Sequence, residues 1–232
     1  MRRARSPLVV LLAVLAGAPA AAQVDVTVQL DARNRYLFAG MPFAQSGVIT
    51  SQVNVSALGG YLNAYAYGVY DQKAREITEG DIWGDYYVQA SDLVGVFAGA
   101  ALYNFKIAGE WEPTFELYGG VVLGLPLSPT LYVAHDFDLT EGTHATLGVS
   151  HALGLGGSGL SLDLAGTVDY NDGYYADEYF GAGAGWSYTN VGASVGIPVG
   201  RLTVTPFGLL QWALMDELTD EEVYGLRISA SF

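Results

Sequence analysis

Apolar and polar residues alternate with a period of two along much of this chain. In the C-terminal segment, Tyr224, Leu226, Ile228, Ala230 and Phe232 fall on one face, and Gly225, Arg227, Ser229 and Ser231 fall on the other. Side chains of a β-strand point alternately to its two faces. The segment is therefore predicted to be a strand with one apolar, aromatic face and one small, polar face.

The alternation recurs between turn residues, and it predicts twelve strands after residue 22. Their predicted bounds are 24–38, 48–58, 61–71, 81–91, 94–105, 113–124, 129–139, 143–154, 160–170, 184–199, 202–213 and 222–232. Residues 180–199 could also form two strands that turn at Thr189-Asn190, although one long strand is preferred. The two-strand alternative would give thirteen strands and leave the C-terminus on the outer side, and between even counts twelve and fourteen strands both stay open at this point.

The polar faces of these strands carry Asp, Arg and Gln, which suit a water-filled lumen better than a packed core. An apolar strand with a free edge would also aggregate in water, whereas a closed barrel pairs its last strand with its first. The sequence therefore predicts an all-β fold, a transmembrane antiparallel β-barrel of about twelve strands.

The N-terminus predicts export. Arg2, Arg3 and Arg5 precede the apolar run 8–16, and Ala20-Ala21-Ala22 offers a cleavage site. This order is typical of a secretory signal peptide, and the run is too short to span a membrane. Residues 1–22 are therefore predicted to be a signal peptide and residues 23–232 the barrel. The expected location is the outer membrane of a Gram-negative cell, reached through the periplasm.

Composition narrows the possible functions. The chain is 51% hydrophobic and has 16 Tyr and 30 Gly, yet it lacks the long apolar run of a spanning helix. It contains no cysteine, which excludes disulfides and thiol chemistry. After residue 22 there are seven basic and 24 acidic residues, a formal charge of −17. This excess of acid argues against nucleic acid as a partner.

The lengths and charges of the connections predict an orientation. The connections predicted to face the periplasm are short and nearly uncharged: Gly59-Gly60, Ser91-Asp92, Leu125 to Pro129, Gly156 to Gly159 and Gly200-Arg201. Those predicted to face outward are mostly longer and acidic: 39–47, 72–80, 106–112, 139–142, 171–183 and 214–221. Bacterial barrels have short periplasmic turns and longer outer loops.

Short motifs resemble those of the TorF-type porins and their uncharacterised relatives among Gram-negative outer-membrane proteins. The motifs are residues 34–40, 114–119, 127–138, 148–151 and 202–206, together with the terminal Phe232. Ala39 stands where the family pattern has an arginine before Gly40. The resemblance implies an outer-membrane barrel, and a terminal aromatic of this kind implies recognition of the last strand by the barrel-assembly machinery.

Charged residues on the predicted lumen faces are the first candidate site. Closure makes the first and last strands neighbours and brings Arg33, Arg35 and Arg227 together. Carboxylates are predicted on other walls: Asp85, Glu116, Asp136, Asp138 and Asp169. Rings of charge in a narrow pore filter ions, so a field across a small diffusion channel is one hypothesis. The alternative is a network of ion pairs that fills the lumen.

Acidic loops are the second candidate site. Asp216, Glu217, Asp220, Glu221 and Glu222 crowd one predicted loop, and Asp71, Glu76, Glu79 and Asp81 crowd another. Carboxylate oxygens suit calcium or magnesium, which could bridge to lipopolysaccharide phosphates. The spacing differs from that of a dedicated calcium loop, so a solvated acidic surface is favoured.

An enzyme is the third reading, and it is disfavoured. His135 and His151 are predicted to face lipid, and Ser150 lies about 20 Å along the strand from the inward-facing His144. Trp83, Trp111, Trp186 and Trp212 are interpreted as the aromatic girdle of a membrane barrel.

The sequence therefore favours a narrow porin-like channel that passes small polar or ionic solutes and needs no cofactor. The alternative is a plugged structural barrel whose acidic loops bind cations, lipopolysaccharide or a protein partner. Outer-membrane lipid is the expected surrounding in both cases.

Overall fold

The computed structural model describes residues 24–174 and 183–232, so the predicted signal peptide lies outside the described residues. The strands are β1 (Asp25–Arg33), β2 (Tyr36–Phe38), β3 (Met41–Ala44), β4 (Val48–Ala57), β5 (Leu62–Asp71), β6 (Glu76–Ser91), β7 (Val94–Ile107), β8 (Glu110–Leu123), β9 (Thr130–Asp136), β10 (Thr143–Gly154), β11 (Ser161–Asp172), β12 (Gly185–Val199), β13 (Leu202–Ala213) and β14 (Glu221–Ser231). Leu58–Gly60 and Gly156–Ser158 form short 3-10 turns.

Twelve of these strands form one closed antiparallel barrel, in the order β1-β14-β13-β12-β11-β10-β9-β8-β7-β6-β5-β4. The seam is complete because β1 pairs with β14 from Thr27↔Ser231 to Arg33↔Gly225. The predicted twelve-stranded barrel is thereby confirmed. Residues Gly185–Val199 form a single strand, so the alternative with a turn at Thr189-Asn190 is wrong.

The two faces of the wall differ as the alternation predicts. Apolar side chains point outward, and Leu30, Leu147 and Val191 are each about half exposed on that side. Polar side chains such as Asp31, Glu116 and Gln211 point inward and are almost fully buried. In a bilayer the outward side chains contact lipid, while the closed ladder satisfies the backbone. This architecture is that of an integral outer-membrane β-barrel.

Among the described residues, no helix is long and apolar enough to cross a membrane.

Three of the four tryptophans form the predicted girdle. Trp111, Trp186 and Trp212 are exposed on the outer surface, and all three lie near the same end of the barrel. Tyr61, Tyr86 and Phe232 are exposed near the opposite end. Trp83 departs from the prediction, because it shares the lumen-facing side of β6 with Asp85 and stacks on Tyr65 with ring centroids 5.0 Å apart.

The two ends of the barrel differ less in loop length than predicted. The turn end carries residues 58–61, 92–93, 124–129, 155–160 and 200–201, and the loop end carries residues 34–47, 72–75, 108–109, 137–142, 173–174, 183–184 and 214–220. The expected long connections over 72–80 and 106–112 are instead tight turns. The strands β6, β7 and β8 continue into these stretches, so the wall is taller on this side.

The predicted first strand, residues 24–38, ends early at Arg33. The chain leaves the wall at Asn34, whose side chain binds the backbone of β14. Its side-chain nitrogen donates to the carbonyl of Glu222 (2.9 Å), and its side-chain oxygen accepts from the backbone N–H of Tyr224 (2.9 Å). Residues 36–44 then form an inserted hairpin, β2–β3, which lies inside the loop end of the lumen.

The inserted hairpin contacts opposite walls of the barrel. Tyr36 packs on Val48 and Val69 on one side, while Met41 packs on Tyr188 on the other. Its turn depends on Gly40, which has a φ of 92°. A Cβ at this position would lie 2.6 Å from the Tyr188 ring, so only glycine lets the turn approach the wall.

Adjacent positions on β10 test which face meets lipid. Val149→Arg places a guanidinium on the outward face and should destabilise the folded barrel by about 2–4 kcal/mol if it lies near the bilayer midplane. Ser150→Arg places the same group in the lumen and should cost much less. Urea titration of refolded protein in lipid vesicles, read from the fraction of the heat-modifiable folded band, measures both. Equal destabilisation would contradict the assignment of the faces.

Candidate functional site: the barrel lumen

In the half of the barrel nearest the turn end, the lumen is open on one side. A cavity of about 320 Å³ lies against β10 to β14. Small and polar residues form much of its lining, including Ser150, Asp163 and Ser194, and Phe207 and Arg227 complete it. Because small side chains leave space next to the wall, this region is the part of the lumen that can hold water or a small solute.

Aromatic rings fill the opposite side of the same half. Three rings lie over glycines of neighbouring strands, so that a Cβ at any of these glycines would clash with the ring: Tyr87 over Gly95, Tyr118 over Gly99, and Phe97 over Gly120. Aromatic and glycine residues are thus paired across strands. This packing narrows the open part of the lumen to the β10–β14 side.

Two of the predicted lumen arginines share one buried carboxylate. Arg33 donates to Asp31 (2.6 Å), and Arg227 donates to both Asp31 oxygens (3.1 and 3.2 Å). Both guanidinium groups also lie over the ring of Phe207, at 5.7 and 5.4 Å from its centroid. Burial of Asp31 between two cations makes the group a fixed part of the wall.

The third predicted arginine also pairs close to the seam. Arg35 lies just beyond β1 and forms an ion pair with Glu221 of β14. Thr219 donates a further hydrogen bond to Glu221 (3.1 Å). All three arginines therefore bind carboxylates of β1 and β14. Their partners, Asp31 and Glu221, were not among the carboxylates predicted to line the other walls.

Two of the predicted lumen carboxylates accept hydrogen bonds from neutral groups. Asp85 accepts from Asn63 (2.9 Å) and from the Tyr118 hydroxyl (3.3 Å). Glu116 accepts from Tyr103 (3.2 Å), Tyr132 (3.1 Å) and Tyr174 (2.6 Å). Burial raises the pKa of Tyr174, which lies in the loop after β11, so its hydroxyl stays protonated and donates.

Asp136 and Asp138 have local roles at the loop end. Asp136 is buried and binds the Thr114 hydroxyl together with the backbone N–H groups of Asp138 and Thr140 (3.2 and 2.8 Å). This pattern caps the turn after β9. Asp138 itself lies on an exposed bend beyond the strand rather than on the lumen wall, because β9 ends at Asp136.

Asp169 lies beside the one inward-facing histidine that the sequence indicated. Its Oδ1 is 3.6 Å from Nε2 of His144 and accepts a hydrogen bond from Thr146 (2.6 Å). The His144 ring also packs against Tyr174, with centroids 5.4 Å apart. His135 and His151 lie on the outward face of their strands, as expected.

The sequence pattern places Glu79 in a predicted loop and Asp81 at the first residue of the predicted strand 81–91. Glu79 and Asp81 lie within β6 and are almost fully buried on its inner face. The Tyr36 hydroxyl of the inserted hairpin donates to Glu79 (2.6 Å), and the backbone N–H of Asn104 donates to Asp81 (3.2 Å). A register shift opposite Val69/Tyr70 breaks the alternation here and explains why the sequence pattern missed them.

The predicted acidic metal site does not form within the described residues, where no three candidate ligands come together. Glu221 points into the lumen while Glu222 points outward, because neighbouring residues of a strand alternate. Asp220 accepts a hydrogen bond from the backbone N–H of Ala213 (2.9 Å), and Asp216 and Glu217 are exposed. The five acidic residues are thus spread over different surfaces.

No protein-family model matches the chain, and no curated protein matches its sequence. The fold is similar to solved outer-membrane barrels. The KdgM porin in complex with disordered oligogalacturonate superposes with a TM-score of 0.57 at 8% identity, covering 90% of this chain and 99% of that chain. LpxR from Salmonella typhimurium superposes with a TM-score of 0.55 at 8% identity, covering 89% of this chain and 99% of that chain.

These likenesses show the fold of outer-membrane barrels. A porin and LpxR, which is an outer-membrane enzyme, share it. The fold is therefore compatible with more than one activity, and any function must be argued from the lumen itself. The narrower resemblance to TorF-type porins is not confirmed.

Removal of the shared carboxylate tests the arginine cluster. Asp31→Asn leaves Arg33 and Arg227 without their anion, and it should lower the free energy of unfolding by about 1.5–3 kcal/mol, the range for hydrogen bonds to charged groups. The matched change Asp138→Asn on the exposed bend should stay within about 0.5 kcal/mol. Urea unfolding of both variants measures the difference. Equal effects would show that the cluster does not stabilise the seam.

Proposed function

We propose that the protein is a narrow channel for passive diffusion of small polar or ionic solutes. The observation that carries this proposal is the water-accessible cavity of about 320 Å³ at the turn end, walled by Ser150, Asp163, Ser194 and Arg227. A barrel with only a structural role could fill this space with larger side chains. Polar walls around open space instead favour the entry of hydrated solutes.

The inserted hairpin makes the channel narrow. It lies across the loop end and brings Phe38 into contact with the rings of Tyr103 and Phe105, with centroids 5.2 and 4.8 Å apart. A solute that passes the cavity must then pass beside or displace the inserted hairpin. The proposed channel therefore conducts weakly, and its limiting cross-section lies at the loop end.

A plugged structural barrel is the second candidate, and two observations favour it. Arg33, Arg35 and Arg227 all bind carboxylates, as expected for a lumen stabilised by ion pairs. The inserted hairpin also buries Tyr36 and Met41 against the wall. In this case the cavity would be a closed pocket at the turn end, and no solute would cross.

Replacement of the inserted hairpin separates the two candidates. In the test variant, residues 36–44 become a Gly/Ser segment of equal length; in the control, the exposed turn 72–75 is replaced in the same way. Planar bilayers measure the single-channel conductance of the refolded mature protein. We expect small steps from the wild type and the control and larger steps from the hairpin variant, because the limiting contacts are gone.

A silent wild type with a conducting hairpin variant would show that the lumen is a channel closed by the inserted hairpin. Silence from both proteins, with folded barrels confirmed by heat-modifiable migration on a gel, would overturn the channel and leave the structural role. Equal conductance of all three proteins would instead contradict the placement of the constriction.

A further inference from the structure

We infer that the channel selects cations over anions, an inference that rests on the proposed function and specifies its solute class. The basis is the balance of charge on the inner face of the wall. Rings and rows of fixed charge in a pore concentrate ions of opposite sign and exclude ions of the same sign. The sign of the lumen charge thus predicts the class of solute.

Guanidinium groups are outnumbered on the lumen face of the described residues. Arg33, Arg35 and Arg227 are each bound to a carboxylate and are already neutralised in part. Beyond Asp31, Glu221 and the histidine-paired Asp169, three more lumen carboxylates have only neutral hydrogen-bond donors in the described structure: Asp85, Asp136 and Asp163. The lumen therefore carries a net negative charge.

Two of these carboxylates are the main basis of the inference because, unlike Asp136, they are not fully buried. Asp163 is exposed in the cavity at the turn end, and Asp85 is partly exposed on the facing wall. Asn63 and Tyr118 donate to Asp85, and Ser161 donates to Asp163, so that neutral groups bind both carboxylates without cancelling their charge.

The magnitude of the effect is measurable. A unit charge 4 Å from an ion in water changes the ion's local concentration by about fivefold. Screening at ordinary salt reduces the effect for charges beyond a Debye length of about 10 Å, so carboxylates that line the narrow lumen act more strongly than those on the loops. Asp85 and Asp163 should therefore dominate the loops in setting selectivity.

The reversal potential in a KCl gradient tests the inference. It is measured for the wild type and for the protein whose inserted hairpin is replaced by Gly/Ser, so that a closed wild type still leaves a conducting lumen. We expect both to favour potassium. The double variant Asp85→Asn, Asp163→Asn should lower the potassium-to-chloride permeability ratio by about fivefold.

A matched variant removes the same charge outside the lumen. Asp216→Asn with Glu217→Gln neutralises two exposed loop carboxylates and should change the permeability ratio much less. Chloride preference, no preference, or an equal effect of the two double variants would overturn the inference while leaving the channel intact. Silence from both the wild type and the hairpin variant would overturn the channel, and the selectivity with it.

Discussion

Every other feature of this protein depends on the closure of its backbone ladder. A bilayer offers no partner for backbone N–H and C=O groups, so a sheet can cross it only when the last strand pairs with the first. Here β1 pairs with β14 on one side and β4 on the other, and the row of outward apolar side chains can then face lipid. Polar residues are left inside, where they are available for transport or for internal structure.

The same seam organises the charges of the lumen. Closure places Asp31 of β1 opposite Arg227 of β14 in the ladder, and Arg33 joins them from the same face of β1. Arg35 and Glu221 extend the group toward the loop end. Because the cations are gathered at the seam, the carboxylates of the other walls hydrogen-bond to tyrosine, asparagine and threonine instead, and this separation produces the acidic lumen.

Alternation along the sequence predicts the wall well and the lumen poorly. The strand count, the outward apolar face and the neighbouring positions of Arg33 and Arg227 follow from a period of two and from the need to close the sheet. The inserted hairpin could not be predicted, since Tyr36, Leu37 and Phe38 also fit the end of a strand and only tertiary contacts with Val48 and Tyr188 decide otherwise. Likewise, a register shift placed Glu79 inside a predicted loop, although it lies on the lumen face of β6.

The way the inserted hairpin is attached has a mechanical consequence. Its two strands pair with each other and not with the wall, and short links join it to β1 and β4, which are neighbours in the barrel. An outward rotation of the inserted hairpin about these links would separate side chains such as Met41 from Tyr188, while the strand pairing of the wall stayed intact. The width of the lumen and the pairing of the barrel wall can thus vary independently. Changes in the sequence of the inserted hairpin can therefore alter the width of the lumen without weakening the wall.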